Sequence, residues 1–488
     1  MKPDYIPVLI FLIPFVVAGM LPVFFKSRNL SSLIACAAVA GSGFFSLQGL
    51  VRVSDGNVLQ HYMGGWLPPF GIEWHLDGLS AVMALLVNAV ALVVLLSTRH
   101  ITRREVHRST VPFYMIVLLH LSALLGMILT HDLFNLFVFL ELASLTGYAL
   151  VATGDKRRGN VASMRYLLLG TIGASFYLLG VGYLYAATGT LNMSDLALRI
   201  GQVGLSRTSM LGIFLVVLGL GIKCGLFPFH AWMPDAYTHA SDTAAALIAP
   251  LTTKVILYSL IRVLFWCFDN ALLAELNVFT VLLCLGSMAL ITGSVMAFVQ
   301  TNFKRMLAYS SVAQIGLIVL ALGLNEKTAF LGAALHIIHH AAMKAVLFLT
   351  AGAAFDAFKI RQIRDFSKLK TSMPWTVSAF LLAALSMIGI PPLCGFFSKW
   401  YIVVGAFRAG QPMIAAVIVG SSLLTAMYFF KVIEVTSFKK QQGEPKVVET
   451  VNSLTLGISL LAASLIFLGL AAPVIYNWGL QHLLPMGF

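Results

Sequence analysis

Four lysines and one glutamate lie inside long apolar runs of this 488-residue sequence. Glu141 lies in FNLFVFLELASLTGYAL, Lys223 in SMLGIFLVVLGLGIKCGLF and Lys254 in ALIAPLTTKVILYSLIR, and Lys344 and Lys399 lie in similar runs. A charged side chain at the centre of a bilayer costs about 2.5 to 3.5 kcal/mol, and such residues usually mark ion pathways. One lysine near a helix end can extend to the interface, but four lysines and a glutamate together predict a buried polar path.

Proton transfer is the chemistry that these residue types favour. Burial weakens the hold of a lysine on its proton, and a neighbouring carboxylate strengthens it. If Glu141 lies against Lys223, the pair retains the proton, and if the pair opens, the proton moves on. The other basic side chains in the spans would relay the proton and release it: Lys254, His336, His340, Lys344 and, at the exit, Lys399.

The stretch HIIHHAAMK repeats basic residues at intervals of four, so His336, His340 and Lys344 line one helix face. Histidine suits a proton relay because its unperturbed pKa is near 6.5. Histidines at this spacing can also bind a metal, but no acid or cysteine is near and Lys344 would repel a cation. Haem would need a facing histidine, which His120 or His131 could provide. We therefore predict no metal and no cofactor, with haem as an alternative.

Prolines interrupt two of the apolar runs that carry these lysines. Pro228 follows Lys223 by five residues, and Pro391 and Pro392 precede Lys399. Proline cannot donate a backbone hydrogen bond and crowds the preceding turn, so each site predicts a broken helix. Backbone carbonyls freed inside a membrane persist only where protein or water satisfies them. Both breaks therefore predict water beside a lysine.

Composition identifies the elements that must position these side chains. The chain is 59% hydrophobic and 10% charged, whereas soluble domains carry about 25% charged residues. Apolar runs of about 20 residues predict membrane-spanning helices. We count about fourteen of them and no soluble domain. The N-terminal apolar stretch lacks a basic region before it and is interpreted as the first span.

The loops between the predicted spans alternate between basic and nearly uncharged. Basic loops are expected on the cytoplasmic side of the inner (cytoplasmic) membrane. With an even number of spans, both termini then lie on the outer side of that membrane. The net charge of +13 follows from these loops, and nucleic-acid binding is not expected. The basic stretches are KSR (26–28), TRHITRREVHR (98–108), DKRR (155–158), FKR (303–305), FKIRQIRDFSKLK (358–370) and FKKQQGEPK (438–446).

Several other functions lack their sequence signals. No glycine-rich phosphate-binding motif is present, so a nucleotide site of a known type is not expected. The cysteines lie in apolar segments without a C-x-x-C pair, and we interpret them as small buried apolar residues.

Long motifs of the chain resemble the antiporter-like subunits of respiratory complex I and the large subunits of Mrp-type cation/proton antiporters. They are HDLFNLFVFLELASLTGYAL, GIKCGLFPFHAWMPDAY, APLTTKVILYSLIR, FKRMLAYSSVAQIG and GIPPLCGFFSKW. They follow the order of that superfamily from about residue 75 to 435.

The resemblance implies an all-α integral membrane protein formed by a single polytopic domain, residues 1–488. Helices 1–3 would occupy residues 1–111. Two inverted five-helix repeats would follow at 112–268 and 269–433, and residues 434–488 would supply helix 14. Helices 7 and 12 would be the broken ones.

The resemblance also implies roles for individual residues. The key glutamate of the fifth helix matches Glu141, and the lysine of the broken seventh helix matches Lys223. Asp77, in WHLDGLSAV, takes the acidic position at the start of the third helix. The remaining matches along the proton path are Lys254, His336, His340, Lys344 and Lys399.

The chain departs from the family after HAWMPDAY, where THASDTAAAL replaces the usual proline-serine pair. The additional acid, Asp242, would either cap the eighth helix or alter the cytoplasmic entrance, and the cap is favoured. Asp235 and His239 are expected at the same entrance.

The resulting expectation is a proton- or cation/proton-translocating subunit of an Mrp-type or complex I-like assembly, with other membrane subunits as partners. H⁺ would be transported, with Na⁺ as a possible second ion, and any redox centre would belong to a partner. Hydrogenase-linked complexes share the motifs. The alternatives are a haem-bearing membrane oxidoreductase subunit and an independent solute carrier.

Overall fold

The structure is a computed structural model that describes residues 4–24, 27–106, 110–204, 206–438, 449–450 and 452–485. Parts of three predicted basic loops lie outside the described residues: 26, 107–108 and 439–446. The helices of the first half are α1 (Ile6–Phe24), α2 (Arg28–Val53), α3 (Gly78–Val106), α4 (Thr110–Leu129), α5 (Leu133–Ala152), α6 (Lys156–Thr188), α7 (Met193–Val203), α8 (Arg207–Cys224), α9 (Trp232–His239) and α10 (Asp242–Cys267).

The second half is also helical. Its elements are α11 (Asn270–Glu275), α12 (Val278–Val299), α13 (Phe303–Gly323), α14 (Lys327–Phe358), α15 (Leu369–Ser372), α16 (Pro374–Ile388), α17 (Cys394–Arg408), α18 (Pro412–Ser437) and α19 (Ser453–His482). Short 3₁₀ turns cover Met63–Gly65, Phe229–Ala231 and Ile363–Lys368.

Among the described residues, 13 helical segments are long and apolar enough to cross a membrane, with Arg207–His239 counted as one segment across its break. The shorter apolar α16, followed by α17, fills the place of the one remaining predicted span. The chain is therefore a multi-pass membrane protein, as its composition predicts. The inverted symmetry of the two repeats stays a prediction.

The inner and outer helices differ in how much of their surface the protein covers. The central stretches of α10 and α13 are completely buried, whereas only 33% of the residues in those of α1, α18 and α19 are buried. Exposed apolar side chains on the outer helices are stable in a hydrocarbon solvent. The polar groups of the interior are thereby separated from the lipid.

Both predicted helix breaks are present. Gly225 follows α8 with a left-handed backbone (φ 73°), and Pro228 lies between it and α9. Gly389 ends α16 in the same way (φ 98°), and Pro391 and Pro392 precede α17. Glycine takes this backbone conformation without the strain that a side chain would add.

Glycines allow α12 and α13 to approach closely. A Cβ atom on Gly316 would lie 2.5 Å from the backbone nitrogen of Leu290, and one on Gly286 would lie 2.8 Å from the carbonyl oxygen of Gly316. Small residues at helix interfaces permit such packing in membranes.

Two features differ from the sequence interpretation. The segment between α2 and α3, for which no strands were predicted, contains an antiparallel hairpin of β1 (Leu59–Tyr62) and β2 (Glu73–Leu76), with Leu59 opposite Leu76. The expectation that all cysteines are buried is wrong for one of them, because Cys284 is exposed on α12. Only 39% of the residues in the central stretch of α12 are buried, so much of this helix faces outward.

Candidate proton-translocation site

The first part of the site lies at the break between α8 and α9. The Nζ atom of Lys223 lies 2.7 Å from Oε1 of Glu141 and 2.6 Å from Oγ of Ser144. Glu141 and Ser144 are three residues apart on α5, so both face α8. The side chain of Lys223 is 1% exposed and that of Glu141 is 28% exposed. Because Lys223 lies in the last turn of α8, its ammonium also meets the negative end of the helix dipole.

Lys254 lies deep inside α10 and has no acidic partner in the described part of the chain. Its Nζ donates to the carbonyl oxygen of Ala249 at 2.7 Å and lies 3.3 Å from Oγ1 of Thr253. The ammonium is therefore held by neutral oxygens of its own helix.

His336 links α14 to two other helices. Its Nε2 lies 2.9 Å from Oε1 of Gln314 on α13, and its Nδ1 lies 2.9 Å from Oγ of Ser398 on α17. An amide oxygen only accepts, so in the neutral ring Nε2 donates to Gln314 and Nδ1 accepts from Ser398. Ser398 is adjacent in the chain to Lys399, the last predicted lysine.

His340 and Lys344 continue the same face of α14. The rings of His336 and His340 stack with centroids 5.8 Å apart, and no described residue bonds a ring nitrogen of His340. The Nζ of Lys344 donates to the Leu307 carbonyl at 2.6 Å and to Ser310 Oγ at 2.5 Å.

Lys399 lies at the second helix break. Its Nζ donates to the carbonyl oxygens of Met387 at 2.8 Å and Ile388 at 3.1 Å, and to Ser422 Oγ at 3.2 Å. The two carbonyls belong to the end of α16, where a helix leaves such groups without internal partners. Lys399 thereby satisfies the backbone that the break frees.

The three expected entrance residues gather at one end of the helix bundle. Asp235 pairs with Arg165 at 2.5 Å and with Arg305 at 3.4 Å. His239 and Asp242 line a cavity of about 200 Å³. The cavity also contains Glu105, Lys304 and Arg361, which the sequence did not single out.

The favoured interpretation of Asp242 as a helix cap is wrong. Ser241 takes that position, with its hydroxyl accepting the N–H of Ala244. Asp242 is instead the first residue of α10, and its carboxylate pairs with Lys304. Its backbone N–H donates to both carboxylate oxygens of Glu105, at 3.0 and 3.1 Å. Asp242 therefore belongs to a charged group with Lys304 and Glu105, and its role at an entrance stays a prediction.

A second polar group lies at the opposite end, around β2 and the start of α3. Arg262 of α10 makes two hydrogen bonds to the Asp77 carboxylate, at 2.6 and 2.8 Å. Burial alone would raise the pKa of Asp77, but the charge and hydrogen bonds of Arg262 hold it well below its usual range. Burial and the neighbouring charges of His75 and Arg262 lower the pKa of His131 to about 3, so its ring is neutral at pH 7. The same ring bonds Ser194 through Nε2 at 2.7 Å.

Comparison with known proteins places this geometry in a family. Residues 130–425 match the family described as "NADH:quinone oxidoreductase/Mrp antiporter, TM". The chain belongs to this family. It is 41% identical to the N subunit of the NADH-quinone oxidoreductase of Desulforudis audaxviator, over 99% of each chain. It is 34% identical to the D subunit of the Na⁺/H⁺ antiporter of Alkalihalophilus pseudofirmus, over 96% of this chain and 94% of the relative.

Chains of three solved membrane complexes share the fold. A chain of the archaeal membrane-bound sulfane sulfur reductase gives a TM-score of 0.91 at 29% identity, covering 97% of this chain and 96% of its own length. A chain of the Mrp complex from Dietzia sp. gives 0.89 at 24% identity, covering 98% and 96%. A chain of respiratory complex I from Thermus thermophilus gives 0.75 at 24% identity, covering 96% and 98%.

The structure adds polar partners to the charged residues that the sequence singled out. The sequence search selected charged side chains in apolar runs, and this criterion passes over hydroxyls and amides. It therefore missed Ser144, Ser310, Gln314 and Ser398. It also missed Arg262, although the run that contains Lys254 ends with this arginine. An arginine at the end of a span is ordinarily interpreted as an interface residue.

Proposed function

We propose that the chain translocates protons across the cytoplasmic membrane as one subunit of an Mrp-type or complex I-like assembly. The main support is the ion pair at the helix break, where the Nζ atom of the buried Lys223 lies 2.7 Å from Oε1 of Glu141. Three further buried lysines, Lys254, Lys344 and Lys399, donate to neutral oxygens. The first lysine is paired with a carboxylate, and the other three have only neutral oxygens as partners in the described chain. Such an arrangement can retain a proton at the first lysine and then pass it to the others.

The mechanism starts from the Glu141–Lys223 pair. While the carboxylate is near, the ammonium keeps its proton, because an opposite charge favours the charged form. Separation of the pair leaves a buried ammonium without its counter-charge, and the proton then moves to another basic group. Lys254, His340 and Lys344 receive it in turn, and His336 and Ser398 lead to Lys399 at the second break. Protons enter from the side of Asp235, His239 and Asp242.

The orientation follows from charge. The basic loops face the cytoplasm under the positive-inside rule, which places the entrance cavity on that side and both termini outside. A proton moved against 100 mV costs about 2.3 kcal/mol. A partner protein supplies this energy, either by a redox step or through the flow of Na⁺ in exchange. Two relatives support these two energy sources, because one belongs to an oxidoreductase and the other to a Na⁺/H⁺ antiporter.

The test uses inverted membrane vesicles that contain the whole complex, with a dye that reports acidification. NADH or Na⁺ starts the reaction, and the initial rate is divided by the amount of assembled complex. Wild type responds to one of the two triggers, and Lys223→Ala loses that response. Normal acidification by Lys223→Ala with the same trigger would disprove the mechanism. A response to NADH identifies a redox partner, and a response to Na⁺ identifies an antiporter.

A further inference from the structure

A wide cleft with basic walls lies beside Asp235, one of the expected entrance residues. Its volume is about 470 Å³, within the range of about 300 to 1,000 Å³ that is usual for ligand pockets. Three helices supply its charged walls: α6 with Arg157, Arg158 and Arg165, α9 with Asp235, and α13 with Arg305. Arg158 and Arg305 belong to two separate basic stretches of the sequence, and the fold brings both to one cleft.

Most of the positive charge in this cleft is not neutralised by the protein. Asp235 pairs with Arg165 and Arg305 through one nitrogen of each arginine. A guanidinium group has five N–H donors, so both arginines keep donors for a further partner. Arg157 and Arg158 are exposed and form no hydrogen bond or ion pair with another described residue. Four arginines and one aspartate leave these five side chains with a net charge of +3.

Phosphate is the anion that this set of donors fits best. The planar guanidinium group binds two phosphate oxygens at once, and proteins favour arginine over lysine for this purpose. The cleft lies at the start of α6, where the segment Arg157–Thr188 is long and apolar enough to cross a membrane. Basic pockets between membrane helices bind the headgroups of anionic lipids. A phospholipid is therefore a chemically suitable source of the phosphate.

A strip of exposed apolar side chains continues from the cleft along α6. Val161 lines the cleft and is 50% exposed, and Leu168 and Ile172 are 52% and 48% exposed. Steps of seven and four residues follow the helix period, so the three side chains lie on one face. Only 39% of the residues in the central stretch of α6 are buried. A free phosphate or an acidic peptide would use the cleft alone, whereas a phospholipid uses both the cleft and the strip.

We propose that this cleft binds the phosphate of an anionic phospholipid, whose acyl chains lie along the exposed strip of α6. The phosphate accepts hydrogen bonds from Arg157 and Arg158, and from the N–H groups of Arg165 that Asp235 leaves free. The net charge of the cleft favours a lipid such as phosphatidylglycerol. It disfavours phosphatidylcholine, because the ammonium group of that lipid offsets its phosphate. The inference concerns lipid binding and does not rest on proton translocation by the chain.

The test uses photoactivatable phospholipids with a diazirine in the acyl chain, which label the protein where the chain lies. The complete complex is reconstituted in phosphatidylcholine vesicles that contain a small fraction of labelled phosphatidylglycerol or of labelled phosphatidylcholine. Peptide mass spectrometry then measures the labelling of residues 157–188. We expect the phosphatidylglycerol probe to label this segment at least about fivefold more than the other probe.

A pair of double variants shows whether the cleft produces this preference. Arg157→Gln with Arg158→Gln removes two cleft charges and should bring the two probes within twofold of each other. The matched control is Arg364→Gln with Lys368→Gln, which removes the same charge from exposed positions of another basic stretch. The control should keep the wild-type preference. Because all four side chains are exposed, assembly of both double variants is expected.

Four results would overturn the proposal, and two of them need no variant. Equal labelling of the wild-type segment by both probes would do so, and it is the result expected if an acidic segment of a partner subunit fills the cleft. Loss of the phosphatidylglycerol labelling on addition of inorganic phosphate would indicate a site for free phosphate. A preference that persists without Arg157 and Arg158 would place the lipid elsewhere. An equal loss in the control would show a general attraction to the basic surface.

Discussion

Removal of the Glu141 carboxylate is the sharpest perturbation of the proposed site. Glu141→Gln keeps the shape of the side chain and deletes the charge that lies 2.7 Å from the Lys223 nitrogen. At that distance and an effective dielectric constant of about 20, the pair attracts with about 6 kcal/mol. Glu141 is 28% exposed, so water screens part of this energy. About 3 kcal/mol remains, the lower end of the measured cost of breaking a buried pair.

A loss of about 3 kcal/mol weakens proton retention at Lys223 roughly a hundredfold, at about 1.4 kcal/mol per factor of ten. We expect dye-monitored acidification by Glu141→Gln vesicles to start at least tenfold more slowly than in wild type. The rate is normalised to the amount of assembled complex. The matched control is Glu434→Gln, which removes an exposed carboxylate of α18 that has no ion-pair partner in the described chain.

A double variant separates the effect on stability from the effect on transport. Glu141→Gln alone leaves an unpaired buried ammonium and should lower the unfolding free energy of the detergent-solubilised complex by about 3 kcal/mol. Lys223→Met added to it removes that charge and should restore most of the stability but none of the transport. An initial rate for Glu141→Gln within twofold of wild type would refute the role of the pair.

Three other perturbations follow from the structure. Lys399→Met leaves two carbonyls at the end of α16 without a donor, so it should abolish acidification and lower the unfolding free energy by about 1 to 3 kcal/mol. Asp77→Asn should destabilise the complex at pH 7, and thermal unfolding should show this difference vanishing in acid. The stabilisation is present above the unfolded-state pKa of about 3.9 and is lost as pH falls through the lower folded-state pKa that Arg262 maintains. Gly316→Ala should lower the unfolding temperature because its Cβ would lie 2.5 Å from a backbone nitrogen, whereas Gly420→Ala, with open space around it, should not.

Those elements of the fold that depend on local chemistry could be predicted from the sequence. Apolar runs of about 20 residues leave few alternatives to a membrane helix. Pro228 and Pro391 each remove a backbone hydrogen bond and thereby favour a break, although Pro250 lies inside the unbroken α10. The β-hairpin at 59–76 was missed because it lies between spans, where hydropathy carries no information about strand pairing. Contacts between distant parts of the chain cannot be predicted from local sequence. The 2.9 Å hydrogen bond of Asn192 to Glu73, for example, joins residues 119 positions apart.

The site was partly predictable for a related reason. Charges such as Glu141 and Lys223 are conspicuous in apolar runs because burying them is costly. Hydroxyls such as those of Ser144 and Ser310 are inconspicuous, because a serine in a helix usually bonds its own backbone. Only the folded chain shows that these two hydroxyls also accept hydrogen bonds from Lys223 and Lys344.

The partners of the lysines suggest why one acid is sufficient for the path. Of the four buried lysines, only Lys223 forms an ion pair among the described residues. Lys254, Lys344 and Lys399 donate to carbonyl and hydroxyl oxygens, and a neutral amine can still donate to such oxygens after it loses a proton. These three sites keep hydrogen bonds in both protonation states, so a proton meets a small difference in energy as it passes. A carboxylate beside each would trap the proton at every step, whereas a single carboxylate at Lys223 gives the path one point of control.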